Sequence, residues 1–455
     1  MEPKNDIIVA LEFGTSSIRG VAGCKKADGN LQILGVEYED TQESILKGVI
    51  YNIDKTTQAI KSIIGRLSEQ LGAQIYQAYV GISGQSLHTE ANTVKRNLAT
   101  TVKITPELVD NLKDNNRLTS YPDAEILEVI AQEYIVGKGP TQTPLGVMSD
   151  HIEAHFLNIV ARTTLRENIE KCMRAADVAI VGEPVIAPLA LADALLTGNE
   201  KRSGCALVDF GAGTTTVQIY KDNILRHLVV LPLGGNSITG DIMSEYLMES
   251  EDAERLKRKH GQAYVATPTE KPKQLAYGDG RAVDENELQD TIGARQEEII
   301  ENVKHQLKDY GKILLSGIVC TGGASKMQDM VIAIQHFIQS ERSVKNAKSL
   351  LTTVDVAPGV NNPVNKNFDG AIAILMQGRV ACTRDMGQED AAPELPAAGQ
   401  DSDPTPADIP STEQAQPSAA ETEENSPAEP KIPKTPWYKR LGKALKDMME
   451  EDTDV

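Results

Sequence analysis

Two short segments of this chain repeat one chemical pattern, Ile8-Val9-Ala10-Leu11-Glu12-Phe13-Gly14-Thr15-Ser16-Ser17 and Ala206-Leu207-Val208-Asp209-Phe210-Gly211-Ala212-Gly213-Thr214-Thr215. Each runs an apolar strand into one carboxylate, an aromatic residue, then glycine and small hydroxyl residues before the next strand. Glycine lets the backbone turn tightly and approach a ligand closely. Successive N–H groups and hydroxyls make a cradle for phosphate oxygens. A carboxylate at each strand end suits hydrated Mg²⁺, which keeps several waters and takes few protein ligands. Neither loop fits GxxxxGK[ST], so this is not a Walker A site. One loop alone reads as readily as an ordinary Gly-rich hairpin turn. The pair implies an internally duplicated fold with a nucleotide between its halves. A third segment, Gly317-Ile318-Val319-Cys320-Thr321-Gly322-Gly323-Ala324-Ser325, runs a strand into a Gly-Gly turn and a helix, with backbone that can lie flat against a purine.

The elements that must position these loops alternate between strand and helix. Ile7–Phe13 and Ser17–Gly23 read as a hairpin, Thr56–Leu71 has helical apolar spacing, and Ala78–Ser83 is a short apolar run. From about 84 to 161 the pattern changes to polar alternating segments. This stretch holds a helix near Pro106–Asn115 and a strand at His151–Val160 with Ile152, Ala154, Phe156 and Asn158 on one face. Leu165–Ala176 is an amphipathic helix, and Ile180–Leu196 is apolar and Ala-rich. Residues 203–235 repeat the opening theme, 237–312 are mostly helical and charged, and 313–384 return to strand–Gly–helix alternation. An α/β body with two inserted subdomains fits this order.

The chain has 455 residues and a net charge of −19, unevenly spread. Asp385–Pro430 holds twelve acidic residues, eight prolines and neither Lys, Arg nor an aromatic residue, the composition of an acidic disordered linker. Its flexible-chain span is about 40 Å. Lys431–Lys446 then carries six basic residues and no acid, and Asp447–Val455 carries five acids. Most of the imbalance therefore belongs to the last 71 residues. The acidic total argues against nucleic acid as a partner, since that needs basic surface to displace counterions. Five cysteines without CxxC spacing read as free thiols of a reducing compartment. The first residues lack a basic n-region, and no apolar stretch is long enough to span a bilayer. These features predict a cytoplasmic body.

Within the basic segment, Trp437, Leu441, Ala444, Leu445 and Met448 follow one helical face, with Lys439, Arg440, Lys443 and Lys446 on the flanks and opposite side. A short basic amphipathic helix with an interfacial Trp suits the headgroup layer of an anionic membrane. Trp437, Lys439, Arg440, Leu441, Lys443, Leu445 and Met448 are thus candidate membrane-binding residues. A helix docked on the body is the alternative. His151, Glu153 and His155 share a strand face, but with no further Cys or His nearby a solvated face is the better reading than a metal site.

The two loops, Gly322-Gly323-Ala324, and Val181-Gly182-Glu183-Pro184 before an Ala-rich helix resemble the actin-like ATPase superfamily. Within it the chain resembles the bacterial cell-division FtsA family. That narrower likeness rests on Ala131-Gln132-Glu133-Tyr134, Asn236-Ser237-Ile238-Thr239-Gly240-Asp241-Ile242, Ala253-Glu254-Arg255-Leu256-Lys257 with His260-Gly261, and Trp437-Tyr438-Lys439-Arg440-Leu441. It covers roughly residues 6–384 and the last 25. The implied fold is α/β, an actin-like (ribonuclease H-like) duplicated ATPase fold with an inserted α+β subdomain, a disordered linker and a C-terminal amphipathic helix. The implied divisions are subdomain 1A at 1–83 and 162–202, an SHS2-like subdomain 1C at 84–161, and subdomain 2A at 203–236 and 313–384, the last stretch returning to 1A. Subdomain 2B follows at 237–312, the linker at 385–430 and the membrane-targeting region at 431–455.

The resemblance also implies ATP and Mg²⁺ as ligands. Gly14, Thr15 and Ser16 would hold one side of the triphosphate, and Gly211, Gly213 and Thr214 the other. Glu12 (most actin relatives have Asp here) and Asp209 would bind Mg²⁺ through water. Gly234 and Gly235 would lie near phosphate and ribose, Glu254 and Lys257 near sugar and base, and Gly322, Gly323 and Ala324 on adenine. Glu183 matches a position that orients the attacking water, a carboxylate favoured by the dipole at a helix N-terminus being the alternative, and at most weak ATPase activity is expected. The helical segment Thr291–Asp309 would receive the C-terminal peptide of FtsZ, the tubulin-like division protein, with Arg295 meeting it; an ordinary i,i+3 partner for Glu298 is the alternative. The implied function is to tether FtsZ to the membrane and self-assemble into filaments. The place is the cytoplasmic side of the inner membrane at the division septum, where later division proteins are recruited. A small-metabolite kinase of the same superfamily is the rival, and it needs a catalytic Asp and sugar-binding residues for which no convincing set is found. A relative of the seventy-kilodalton heat-shock chaperones would need a β-rich peptide-binding domain for which the linker and short helix leave no room.

Overall fold

The computed structural model describes residues 7–26, 28–41, 44–137, 139–278, 280–339, 342–360 and 367–385. The chain divides into two units, Met1–Gln388 and Glu389–Val455, and all described residues belong to the first. The candidate membrane-binding residues Trp437 to Met448 therefore lie outside the described residues. No described helix is long and apolar enough to cross a membrane.

The first unit builds the same topology twice. Strand Ile8–Phe13 pairs antiparallel with Ser17–Lys25 and parallel with Gln77–Ile82. Strand Cys205–Phe210 likewise pairs antiparallel with Thr215–Lys221 and parallel with Ile318–Thr321. In each half a third antiparallel strand follows, Leu31–Asp40 in one and Ile224–Leu231 in the other. The central strands are apolar almost throughout, as strands covered on both faces must be. Helix Ile53–Leu71 lies on the first sheet, capped by Asn52 and stopped by Gly72 in the left-handed region, with Ile60, Ile63, Ile64 and Leu67 buried. Its packing is close: a methyl on Gly20 would sit 2.4 Å from Ile63 Cγ2.

Residues between the two halves of the first sheet form an inserted layer. Strands His88–Lys103, Met148–Arg162 and Ala124–Val136 pair antiparallel, and helix Pro106–Arg117 packs on them. Ile152, Ala154 and Phe156 do share a buried face, joining Ile104, Leu112, Val129, Tyr134 and Val136 in a core of their own. Asn158 shares that face but joins a buried amide network. Asn116 Nδ2 donates to Asn158 Oδ1 at 2.5 Å, Asn158 Nδ2 to the Tyr121 hydroxyl at 3.0 Å, and Asn92 Nδ2 to Asn116 Oδ1 at 2.8 Å.

The second insertion holds helices Gly235–Tyr246, Ser250–His260 and Glu285–Leu307. It also contains a hairpin that helical spacing does not announce, Gln274–Tyr277 with Arg281–Asp284. Leu275, Tyr277 and Val283 are its buried residues, a period-two signal too short to stand out from the charged surroundings.

Candidate functional site

The two matching hairpins point their turns at one another across a cleft of about 970 Å³. On the first turn, Gly14 N–H donates to Ser17 O at 3.2 Å. Thr15 is held twice: its hydroxyl accepts the Gly48 N–H at 3.0 Å, and its carbonyl accepts from Thr41 Oγ1 at 2.6 Å. On the second turn, Gly211 N–H donates to Thr214 O at 2.8 Å. The turns meet at Gly213, where a methyl would stand 2.6 Å from Thr15 Cγ2 and 2.7 Å from its Oγ1. Only a residue without a side chain fits there.

Helix Gly235–Tyr246 docks directly on the second turn. Gly235 N–H donates to Gly211 O at 3.0 Å and Asn236 N–H to Ala212 O at 2.7 Å. A methyl on Gly234 would lie 2.7 Å from Ala212 O. These first amides are therefore spent on the loop and are not free for an anion. On helix Ser250–His260, buried Lys257 donates to Gly235 O at 2.9 Å and to Thr239 Oγ1 at 2.8 Å, and it pairs with Glu254 at 2.5 Å. Burial lowers the Lys257 pKa against the opposing pull of Glu254. Gly322, at φ +93°, folds the third segment against Asp209, whose Oδ1 would be 2.3 Å from a methyl there. The Gly-Gly turn leads into a three-residue 3₁₀ turn at Ala324–Lys326, and the expected helix begins only at Met330.

Of the expected nucleotide-binding residues, Gly14, Thr15, Ser16, Gly211, Thr214, Gly235, Glu254, Lys257, Gly322, Gly323 and Ala324 line this one cleft. Gly213 and Gly234 stand behind its wall, in the tight contacts just given. Glu12 and Asp209 line it as well, and a third carboxylate, Asp369, joins them. Asp369 accepts from Ser349 Oγ and Leu350 N–H, both at 2.8 Å, and burial raises its pKa. Burial pushes Asp209 up to about 7, with the Glu12 charge adding to the rise, Arg19 opposing it and Asp369 adding again. Arg19 donates to Glu12 at 3.1 Å. The helix that starts at Asp369 runs so close to Glu12 that a methyl on Gly370 would be 2.2 Å from Glu12 Oε1. Three carboxylates around one polar cleft favour a cation between them, and the cation would restore the ionised form of Asp209. Asp369 had one local signal, an Asp-Gly pair opening an apolar run; Arg19 and Gln218, which also line the cleft, had none.

Glu183, expected to orient the attacking water, does not line this cleft. It ion-pairs with Arg166, its side chain is 79% exposed, and it lines a separate pocket with Ile82, Arg117, Leu127 and Pro184. The cause is the backbone: Gly182 turns at φ +66° and Pro184 follows, so Glu183 sits outside, and the Ala-rich helix begins at Ala187. Arg295 also lies away from the cleft lining. It grips Asp241 in bidentate fashion, at 2.6 and 2.9 Å, and also pairs with Glu298, so it ties helix Glu285–Leu307 to helix Gly235–Tyr246. The Asp241 hydrogen bonds hold its pKa above the usual range. His155 pairs with Glu153 at 2.8 Å and His151 with Asp150 at 2.8 Å.

Two Gly-turn hairpins of matching topology around one cleft define the actin-like ATPase fold. A solved structure that shares it, the "PilM-PilN type IV pilus biogenesis complex", superposes with a TM-score of 0.58 at 15% identity over 82% of this chain and 98% of that one. The sequence narrows the class. The family model "Cell division protein FtsA" matches residues 206–365, and "SHS2 domain inserted in FTSA" matches residues 84–160. The chain is 29% identical over 383 residues to cell division protein FtsA of Pseudomonas aeruginosa, covering 82% of this chain and 89% of the relative. To cell division protein FtsA of Enterococcus hirae it is 31% identical over 337 residues, covering 72% and 75%. The chain belongs to the FtsA family of cell division proteins.

Proposed function

We propose that this chain binds Mg²⁺-ATP in the cleft, tethers FtsZ to the cytoplasmic membrane, self-assembles at the division ring and helps recruit later division proteins. The observation that carries the nucleotide part is the meeting of the two turns at Gly213 and Thr15 beside three carboxylates. Gly14, Thr15, Ser16, Gly211 and Thr214 supply amides and hydroxyls to phosphate. Glu12 and Asp209 hold hydrated Mg²⁺, with Asp369 adding charge, and Gly322, Gly323 and Ala324 offer flat backbone to the base.

Phosphoryl chemistry asks for positioning and charge neutralisation, and the cleft supplies both. With Glu183 held by Arg166 outside the cleft, the arrangement supports binding with at most weak hydrolysis. The 1A, 1C, 2A and 2B divisions remain the natural way to name the parts, with Arg295 on the 2B helix for the FtsZ peptide and 431–455 for the membrane. Each Lys or Arg near an anionic surface contributes about 1 kcal/mol, so one such helix binds reversibly and assembly adds avidity.

Titration of a fluorescent ATP analogue tests the cleft. Native protein with Mg²⁺ binds, while Asp209→Asn and omission of Mg²⁺ each weaken binding by about tenfold or more. Equal affinity in all three would remove the carboxylates from the site.

A further inference from the structure

The inserted sheet leaves one long edge uncovered. Strand His88–Lys103 pairs with Met148–Arg162 on its inner side, whereas its outer side has one bridge, His88 to Val229. Val230 N–H donates to Leu87 O at 3.1 Å, which fixes which way the main chain points. By strand alternation the N–H and C=O groups of Thr89, Ala91, Thr93, Lys95 and Asn97 face the same way. Thr89 is covered, its hydroxyl meeting Leu228 N–H at 3.0 Å and Leu228 O at 3.2 Å. From Ala91 onward no described strand pairs with this edge. The inner register is unbroken from His88 to Asn97, so the edge is regular over that length. Ala91–Asn97 offers about 23 Å of strand.

Unpaired edges invite other strands, and proteins blunt them with proline, bulges or charge. Ala91–Lys103 contains no proline and no acidic residue; it carries Lys95, Arg96 and Lys103. Lys95 stays 68% exposed although it pairs with Glu153 at 2.8 Å, and Arg96 is exposed. Being consecutive, the two project from opposite faces of the sheet. Like charges set opposite one another destabilise a strand pair. That count works against a basic strand, and against a second copy of this edge in the register that sets Lys95 opposite Lys95. An acidic strand meets the opposite situation at Arg96, and at Lys95 it shares a cation that Glu153 also pairs.

We propose that the Ala91–Asn97 edge is a docking site for an extended acidic peptide of a partner protein, added as a further antiparallel or parallel strand. Main-chain hydrogen bonds supply the affinity, and two neighbouring carboxylates beside Lys95 and Arg96 supply the selectivity. The occupant needs β-branched residues and no proline across the paired length. The site is independent of the cleft and needs no nucleotide.

The test uses the full chain and labelled eight-residue peptides of threonine and valine. One has a central Glu-Asp pair, one a central Lys-Lys pair, and one the acidic pair with proline on either side. The acidic peptide binds at least about tenfold more tightly than either of the others. It slows amide exchange at 91–97. Thr93→Pro, which removes an outward N–H and leaves the inner ladder intact, abolishes binding. Lys95→Glu with Arg96→Glu reverses the preference toward the basic peptide, a gain that misfolding cannot imitate. Equal binding of the acidic and proline-interrupted peptides would reduce the effect to bulk charge and overturn the proposal. No binding at about 1 mM would overturn it too. So would an edge already protected in the chain alone and released by changing Glu421, Glu423 and Glu424 to Gln, since the occupant would then be this chain's own acidic segment.

Discussion

The contact between Gly213 and Thr15 is where the account of the cleft can be pressed hardest. In Gly213→Ala the new methyl would begin 2.6 Å from Thr15 Cγ2 and 2.7 Å from Oγ1. Ordinary carbon contacts lie near 3.5–4.0 Å, so the turns must part by about 1 Å. Thr15 cannot yield freely, because the Gly48 N–H and the Thr41 hydroxyl both hold it. Overpacking of this kind costs about 1–3 kcal/mol. If nucleotide binds with the turns together, that cost appears as about 5- to 150-fold weaker Mg²⁺-ATP binding. Gly240→Ala is the matched control, since nothing lies within 4 Å of its added methyl and it lines the same cleft. Calorimetry on native, G213A, G240A, T15A and the T15A/G213A double variant completes the cycle. The double variant loses less than the sum of the single losses, because Thr15→Ala removes the two atoms nearest the new methyl. Native-like affinity in G213A would refute the reasoning, and so would strict additivity.

Three further outcomes follow from other parts of the molecule. Arg295→Glu weakens binding of the FtsZ C-terminal peptide at least about tenfold in a titration and leaves ATP affinity unchanged; Arg295→Gln, which keeps some hydrogen bonding to Asp241, weakens it less, and unchanged peptide binding removes Arg295 from that surface. Asn158→Ala breaks a buried amide network between Asn116 and Tyr121 and destabilises the inserted layer by about 2–3 kcal/mol, read as faster amide exchange across 124–162. Of the five thiols, half-buried Cys24 reacts first with a disulfide reagent at pH 8. Burial pushes Cys172 and Cys382 up to about 11 and Cys205 and Cys320 up to about 12, so those four react only after unfolding.

Both hairpins were readable because their signal is local: strand, carboxylate, glycine and hydroxyls within ten residues. The duplication followed from meeting that signal twice, and the paired topology of the two sheets has the same origin. Asp369 showed only an Asp-Gly pair opening an apolar run; its place at the cleft depends on Ser349 and on Glu12, some 357 residues away in sequence. Glu183 was singled out by likeness to a water-orienting position, whereas the turn at Gly182 and the ion pair with Arg166 hold its side chain away from the cleft lining. Arg295 was readable as a helix residue beside Glu298, whereas its stronger partner Asp241 comes from another helix. The hairpin at 274–284 escaped because each strand has only four residues in a charged stretch.

The tether is the claim on which the functional account turns, and one sedimentation measurement addresses it. Purified FtsZ is mixed with anionic vesicles, Mg²⁺-ATP and either the full chain or a chain ending at Pro430. FtsZ pellets with vesicles only when the full chain is present, and neutral vesicles recover much less of it. Equal recovery of FtsZ with the shortened chain would rule out the tether.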